Sequence, residues 1–158
     1  MQKKTDFSLT SRDHALLRLL QHDCRIPHVE LAERVGMSVS ACWRRVRALE
    51  QAGLIKRYAC MLDARAAGLG FSALVHVSLS RHDRSHVETF VARILDRPEV
   101  LDCYATTGDA DYHLRVVCAD ADAYNRFLDD FLFDLPGISR IRTNLVLKEI
   151  KQTSELPI

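Results

Sequence analysis

Two short stretches of this chain carry side chains whose types and spacing could do chemistry. The first is Ser38-Val39-Ser40-Ala41-Cys42-Trp43-Arg44-Arg45-Val46-Arg47. Stepped round as a helix, Ser40, Ala41, Arg44 and Ala48 fall on one side and Arg45 and Arg47 flank them. Val39, Cys42, Val46 and Leu49 fall on the other side, with Trp43 at the margin of that apolar face. Small residues near the start of a helix let it approach a surface closely. An arginine behind them can then reach a guanine edge with its fork, while its neighbours reach phosphate. The competing reading is plainer: three arginines on an exposed helix are also what a solvated face looks like.

The second stretch is Thr106-Thr107-Gly108-Asp109-Ala110-Asp111-Tyr112. Glycine permits a tight turn that exposes backbone N–H groups able to hold a carboxylate. Asp109 and Asp111 could accept hydrogen bonds from an ammonium group. A loop with both abilities suits a zwitterion such as a free amino acid. Gly and Asp are equally the residues of an ordinary hairpin turn, so the composition leaves that alternative open. A third reading takes Asp109, Asp111 and His113 as metal ligands or an acid/base set, since alternate strand positions share a face. No nucleophile elbow, phosphate-binding glycine loop or H-E-x-x-H helix accompanies them, so the residues favour no enzyme, cofactor or metal.

The arginines need a rigid mount, and the sequence supplies one. Thr10 and Asp13 form a capping box ahead of a first helix with Leu16, Leu19 and Leu20 at helical spacing. Pro27 suits the first turn of a second helix, whose inner face is Leu31, Ala32 and Val35 and which Gly36 ends. Ser38 caps a third helix over about Val39 to Ala52. Leu54-Ile55-Lys56-Arg57-Tyr58 then reads as a basic hairpin strand. The pattern predicts a helix-turn-helix with a wing over 1–62, a shape that places one helix in a DNA groove.

Charge supports the division. Residues 1–62 hold 11 Lys+Arg and 6 Asp+Glu, a net of +5, and residues 63–158 hold 11 and 15, a net of −4. A polyanion therefore suits the first part alone. The hydrophobic share of 47% is that of an ordinary folded chain. The five cysteines, Cys24, Cys42, Cys60, Cys103 and Cys118, include no C-x-x-C pair, which points to reduced thiols and not to zinc or disulfides. The N-terminus lacks a signal-like apolar core, and no apolar run nears the ~20 residues of a membrane span. A cytoplasmic protein with no membrane partner is expected.

Asp63 to Gly70 is rich in Ala and Gly and reads as a hinge, 63–70. Beyond it, Phe71, Ala73, Val75, Val77 and Leu79 alternate as a strand. Ser85 and Glu88 form a capping box for a helix with Val87, Phe90, Val91, Ile94 and Leu95 on one face. Val100 to Thr107 reads as a second strand, and Tyr112, Leu114, Val116 and Cys118 as a third. Tyr124, Phe127, Leu128, Phe131, Leu132 and Leu135 mark another helix, which Pro136-Gly137 breaks before Ile141, Thr143, Leu145 and Leu147. The order β-α-β-β-α-β predicts an α+β, ferredoxin-like domain over 71–150, with a tail at 151–158. Its helices can cover one sheet face only. Leu74, Leu101, Val117 and Val146 should face out on the other, so sheet-to-sheet pairing about a two-fold axis is expected.

These residues resemble the Lrp/AsnC family of regulators, also called feast/famine regulatory proteins. The likeness runs through D-x-x-L-L-x-L-L-Q-x-D (Asp13 to Asp23), V-E-L-A-E-R-V-G-M-S (Val29 to Ser38) and C-W-R-R-V-R-x-L-E-x-x-G-x-I (Cys42 to Ile55). It continues in G-D-x-D-Y-x-L-R-V (Gly108 to Val116) and L-P-G-I (Leu135 to Ile138). The resemblance implies a winged helix-turn-helix joined to an effector domain, often termed RAM. It implies dimers assembling further, commonly into octamers, that bind small effectors, usually amino acids, near the loop matching Thr107 to Tyr112. Many relatives have Ser where Pro27 stands and Ser-Pro where Ser38-Val39 stands, so the bases read could differ. The expected protein is thus an effector-responsive transcriptional regulator of double-stranded DNA. Ser38, Ser40, Ala41, Arg44, Arg45, Arg47, Lys56 and Arg57 are its candidate DNA contacts. Thr106, Thr107, Gly108, Asp109, Asp111 and Tyr112 are its candidate effector contacts. Two alternatives stay open on the residues alone: a ferredoxin-like enzyme with a docking element, and an architectural DNA binder with no effector.

Overall fold

A computed structural model describes residues 8–80 and 84–158. The chain divides into two compact units. One ends at Met61 and takes in Lys151–Ile158; the other is Leu62–Ile150.

The first unit is three helices: α1 (Ser11–His22), α2 (His28–Arg34) and α3 (Val39–Gln51). Each starts where the sequence supplies a cap. Thr10 and Asp13 make the reciprocal capping box, and Ser38 Oγ accepts from the Ala41 N–H at 3.4 Å. Gly36, at φ +63°, takes the left-handed conformation that closes α2. The Met37 N–H then reaches back to the Ala32 carbonyl at 2.9 Å, and this turn sets α3 across α2. Leu16, Leu31 and Leu49, one from each helix, are fully buried in the shared core. Burying each stabilises the unit by about 1.5–3 kcal/mol. Leu17, not Leu19, joins Leu16 and Leu20 inside, and Val39 at the start of α3 is exposed.

The expected strand at Leu54-Tyr58 is absent, and its backbone bonding shows why. The Leu54 and Ile55 N–H groups both return to the Leu49 carbonyl, at 3.0 and 3.3 Å, closing the end of α3. They cannot also join a ladder. No second strand lies beside Lys56-Arg57-Tyr58 among the described residues, and that segment carries no regular secondary structure. The segment 151–158 returns to α1. Arg18 Nη1 donates to the Ile158 carbonyl at 2.9 Å, and Gln21 Oε1 accepts from the Leu156 N–H at 2.6 Å.

The second unit opens with one wound turn over 63–69. There the Asp63 carboxylate accepts from the Ala66 N–H at 3.0 Å. The elements that follow are β1 (Phe71–Leu79), α4 (Arg84–Leu95), β2 (Val100–Ala105), β3 (Tyr112–Cys118), α5 (Ala121–Phe127) and β4 (Ile138–Leu145). The sheet is antiparallel in the order β2-β3-β1-β4, the ferredoxin-like arrangement expected. The helix α4 begins before Ser85, so Ser85 lies inside it and does not cap it. Glu88 instead accepts from Arg84 Nε one turn back, at 3.1 Å. After Phe127 the helix widens into a π turn over Leu128–Leu132, which keeps Phe131 and Leu132 on the buried side.

Ala73, Val75 and Val77 of β1 pack with Leu114 and Val116 of β3 under Phe90, Phe127 and Phe131. Among the described residues of this unit, no helix packs on the other sheet face. Leu74 and Leu101 are exposed there, as expected, but Val117 is buried and Val146 half-buried. Backbone bonds extend the sheet at that end, from Val117 N–H to the Glu99 carbonyl and from Val146 N–H to the Ser72 carbonyl, both at 2.9 Å. The bare face is therefore a mixed surface and not a continuous apolar patch.

Candidate functional sites

The basic helix presents its candidates unequally. Ser40 and Arg44 are exposed on one side of α3, with Ala41 half-buried between them and Ser38 at the cap. Lys56 and Arg57 are exposed on the segment that follows. These six stay on the surface of the first unit, where a polyanion can reach them.

Arg45 does not fit the phosphate role expected of it. Its Nε donates to Asp13 Oδ1 at 2.5 Å and its Nη2 to Asp13 Oδ2 at 2.6 Å. The Asp13 carboxylate is buried, 1% exposed, and also accepts from the Thr10 N–H and Oγ1–H at 2.7 Å each. The Arg45 fork and the Thr10 bonds hold this carboxyl below the usual aspartate range, outweighing the burial that pushes it up. Asp13 thus clamps α1 to α3. Sequence reasoning sees only its local capping bond, because nothing in a helical pattern marks a partner 32 residues away.

Arg47 also turns aside. Its guanidinium stacks 4.6 Å from the centroid of Trp43. Trp43 is half-exposed, so it is less a core residue than expected. The two line a hollow of about 350 Å³ with Cys24, His28, Glu50 and Tyr58. Tyr58 donates to Glu50 Oε1 at 2.8 Å.

In the second unit, the loop between β2 and β3 is tied down at its ends. Asp111 Oδ2 accepts from the Leu79 N–H at 2.7 Å, and the Asp111 N–H donates to the Val77 carbonyl at 3.0 Å. The Thr106 N–H donates to the Asp111 carbonyl at 2.9 Å, and its Oγ1 to the Ala110 carbonyl at 3.1 Å. Gly108, at φ +127°, makes the tip. Beside the loop lies an open hollow of about 440 Å³ lined by Leu79, Ser80, Val87, Ala105, Thr106, Asp111 and Tyr112. Three of the six expected residues, Thr106, Asp111 and Tyr112, reach it. Thr107, Gly108 and Asp109 stand at the exposed tip and do not line it. Sequence reasoning missed Leu79, Ser80, Val87 and Ala105, which come from β1, α4 and β2 and meet only after folding.

No cluster of three His, Cys, Asp or Glu side chains occurs among the described residues. Asp111 and His113 do not join as ligands: Asp111 bonds the β1 backbone, and His113 faces the bare side of the sheet. No described helix is long and apolar enough to cross a membrane.

Comparison with known proteins matches both units to described domains. Residues 9–56 match the family described as winged helix-turn-helix DNA-binding, and residues 72–156 match the Lrp/AsnC ligand binding domain. The chain is 36% identical to the transcriptional regulator AzlB of Bacillus subtilis, over 95% of this chain and 96% of that protein. It is 34% identical to the leucine-responsive regulatory protein of Escherichia coli K12, over 99% and 96%. Among solved structures, it resembles the Neisseria meningitidis transcriptional regulator NMB0573 in complex with L-Met. That match has a TM-score of 0.91 and 39% identity, covering 95% of this chain and 97% of that one. The feast or famine regulatory protein of M. tuberculosis complexed with L-methionine matches at TM-score 0.85 and 32% identity, over 94% and 99%.

Proposed function

Because the chain belongs to the Lrp/AsnC family and is a DNA-binding transcriptional regulator, we propose that an amino acid bound beside Thr106 to Tyr112 controls it. The observation that carries this reading is the hollow at that loop. Its lining combines a carboxylate fixed by a backbone N–H and the Thr106 and Ser80 side chains with apolar Leu79, Val87 and Ala105. A few polar groups among apolar ones suit an α-amino acid with an apolar side chain. Two structural neighbours carry L-methionine, which makes it the first candidate. Asp111 Oδ2 is engaged by Leu79, so Oδ1 is the oxygen for the ligand's ammonium group.

At the other site, Arg44 is the base reader, Ser38, Ser40 and Ala41 line its approach, and Lys56 and Arg57 contact phosphate. Arg45 positions α3 and does not touch DNA. The protein works in the cytoplasm as a homodimer that assembles further, with its two α3 helices about one DNA turn apart, ~34 Å. The bare sheet face supports the pairing. Its β4 edge carries Arg140 and Arg142 and its β2 edge carries Asp102 and Tyr104. A second copy turned about an axis along the strands brings unlike edges together.

The test is a melting experiment and a DNA titration with L-methionine. Ligand at about 100 times its Kd stabilises the folded chain by about 2.7 kcal/mol, and DNA affinity changes with it. Asp111→Asn keeps an acceptor for the Leu79 N–H but lacks the charge, and it should lose both responses. A wild-type chain indifferent to each of the twenty amino acids, in melting and in DNA affinity, overturns the reading.

A further inference from the structure

The bare sheet face holds a feature that neither the DNA reading nor the effector reading uses. Strand register sets Tyr104 opposite His113, His113 opposite His76, and His76 opposite Arg142. One line of side chains therefore crosses all four strands. The two imidazoles touch, with Nδ1 to Nδ1 at 2.7 Å, ring centroids 4.6 Å apart and planes at 87°. Asn144 Nδ2 lies 3.1 Å from His76 Nε2.

One proton arrangement satisfies every contact. With the Asn144 amide N–H donating to His76 Nε2, the His76 proton sits on Nδ1. His76 Nδ1–H then donates to the bare Nδ1 of His113. The chain of bonds is complete with both rings neutral. Protonating His113 puts an N–H where His76 already points one, and protonating His76 puts an N–H against the Asn144 amide.

The charges around the pair reinforce this. On β4, Arg142 stands opposite His76, and Arg140 stands two pairs along on the same face, opposite Ser78. On β3, Arg115 shares the face and pairs with Asp102 of β2 at 2.5 Å. Within the four strands the face thus carries three arginines and one carboxylate, and that carboxylate is already paired. Burial, then His113, then Arg142 lower the pKa of His76 from its ordinary value.

We propose that the His76–His113 pair makes self-association through this sheet face acid-sensitive, so that the face holds a second copy while both imidazoles are neutral and releases it when they take up protons. The inference rests on the sheet-to-sheet pairing put forward above. The sign follows from linkage. A second copy seated on this face takes water from the pair and holds it beside Arg142, so the covered state disfavours the charged imidazole. Association is then complete while the pair is neutral and is lost as pH falls and protons bind. Each unit by which covering lowers a histidine pKa weakens association about tenfold at low pH.

The experiment is sedimentation of the full chain at about pH 7.5 and about pH 5.5, beside H76Q/H113Q, whose amides hydrogen-bond but do not titrate. The wild type should associate at the higher pH and weaken about tenfold or more at the lower. The double variant should show the same affinity at both. Equal wild-type association at the two values overturns the gate and leaves the pairing intact. A double variant that dissociates like the wild type also overturns it, by assigning the effect to other groups. A wild type that is monomeric at the higher pH overturns the pairing itself. Should the double variant not fold, proton NMR of the wild type decides. A His76 Cε1–H signal that titrates below the ordinary histidine range, and lower still as the protein is concentrated into the associated form, supports the gate, and a signal whose midpoint does not move with association overturns it.

Discussion

Each unit is organised round one aspartate, and the two are used in opposite ways. Asp13 lies 1% exposed, with both oxygens taken by Thr10 and Arg45. Asp111 is half-buried, gives one oxygen to the Leu79 N–H, and lines an open hollow. The first is closed and joins two helices. The second is anchored but unfinished. A carboxylate's role follows from how many of its acceptor positions folding leaves over, and chain position reveals nothing of that.

Removing Asp13 is the strongest way to test the contrast. Asp13→Ala takes away the capping box and the buried ion pair with Arg45. Breaking a buried pair costs about 3–5 kcal/mol and losing a cap about 1 kcal/mol. Because Arg45 is 31% exposed and can turn to water, about 3 kcal/mol is expected for the whole, read as a lower denaturant midpoint. The acid limb adds a check. With its folded pKa lowered, Asp13 stabilises fully at neutral pH, and its contribution falls only below about pH 4. The variant should lose less stability than the wild type across that acid range. A midpoint within about 0.5 kcal/mol of wild type, the spread of ordinary surface changes, would make the clamp incidental.

Arg44 and Arg45 sharpen the comparison from the DNA side. Adjacent and chemically identical, they should fail differently. Arg44→Ala should cost about 1–3 kcal/mol of operator affinity, relax discrimination at one base pair and leave stability unchanged. Arg45→Ala should lower stability first. If Arg44→Ala weakens operator and random DNA equally, Arg44 is a phosphate contact and α3 reads bases through other residues.

This pair also marks what the sequence made legible. The helices, their caps and the strand order follow from local signals: Ser38 before α3, Gly36 after α2, alternation through β1 and β3. The fold is therefore readable almost throughout. Most of the departures depend on partners distant in sequence. Arg45 looks like Arg44 until Asp13 arrives from α1. Leu54-Tyr58 reads as a basic hairpin strand, yet its first two N–H groups return to the Leu49 carbonyl a turn earlier and close α3. The effector hollow needed Leu79, Val87 and Ala105 from three elements. Alternation places His76 and His113 on the bare face, but only the β1–β3 register sets them opposite each other. Periodicity tells which side a residue faces and is silent on what stands across from it.

The smallest expected effect concerns the segment without a ladder. Lys56 sits beyond the Leu49-capped end of α3, on backbone that no second strand among the described residues holds. A charge on such a mount can neutralise phosphate, but it cannot hold the fixed geometry that base discrimination requires. Lys56→Ala should therefore weaken operator and random DNA alike and lower the slope of log affinity against log salt by about one. Arg44→Ala should change specificity far more than it changes that slope. Titrations of both variants on both DNAs at several salt concentrations separate the roles. An unchanged slope for Lys56→Ala removes that segment from the interface and leaves α3 to hold the duplex alone.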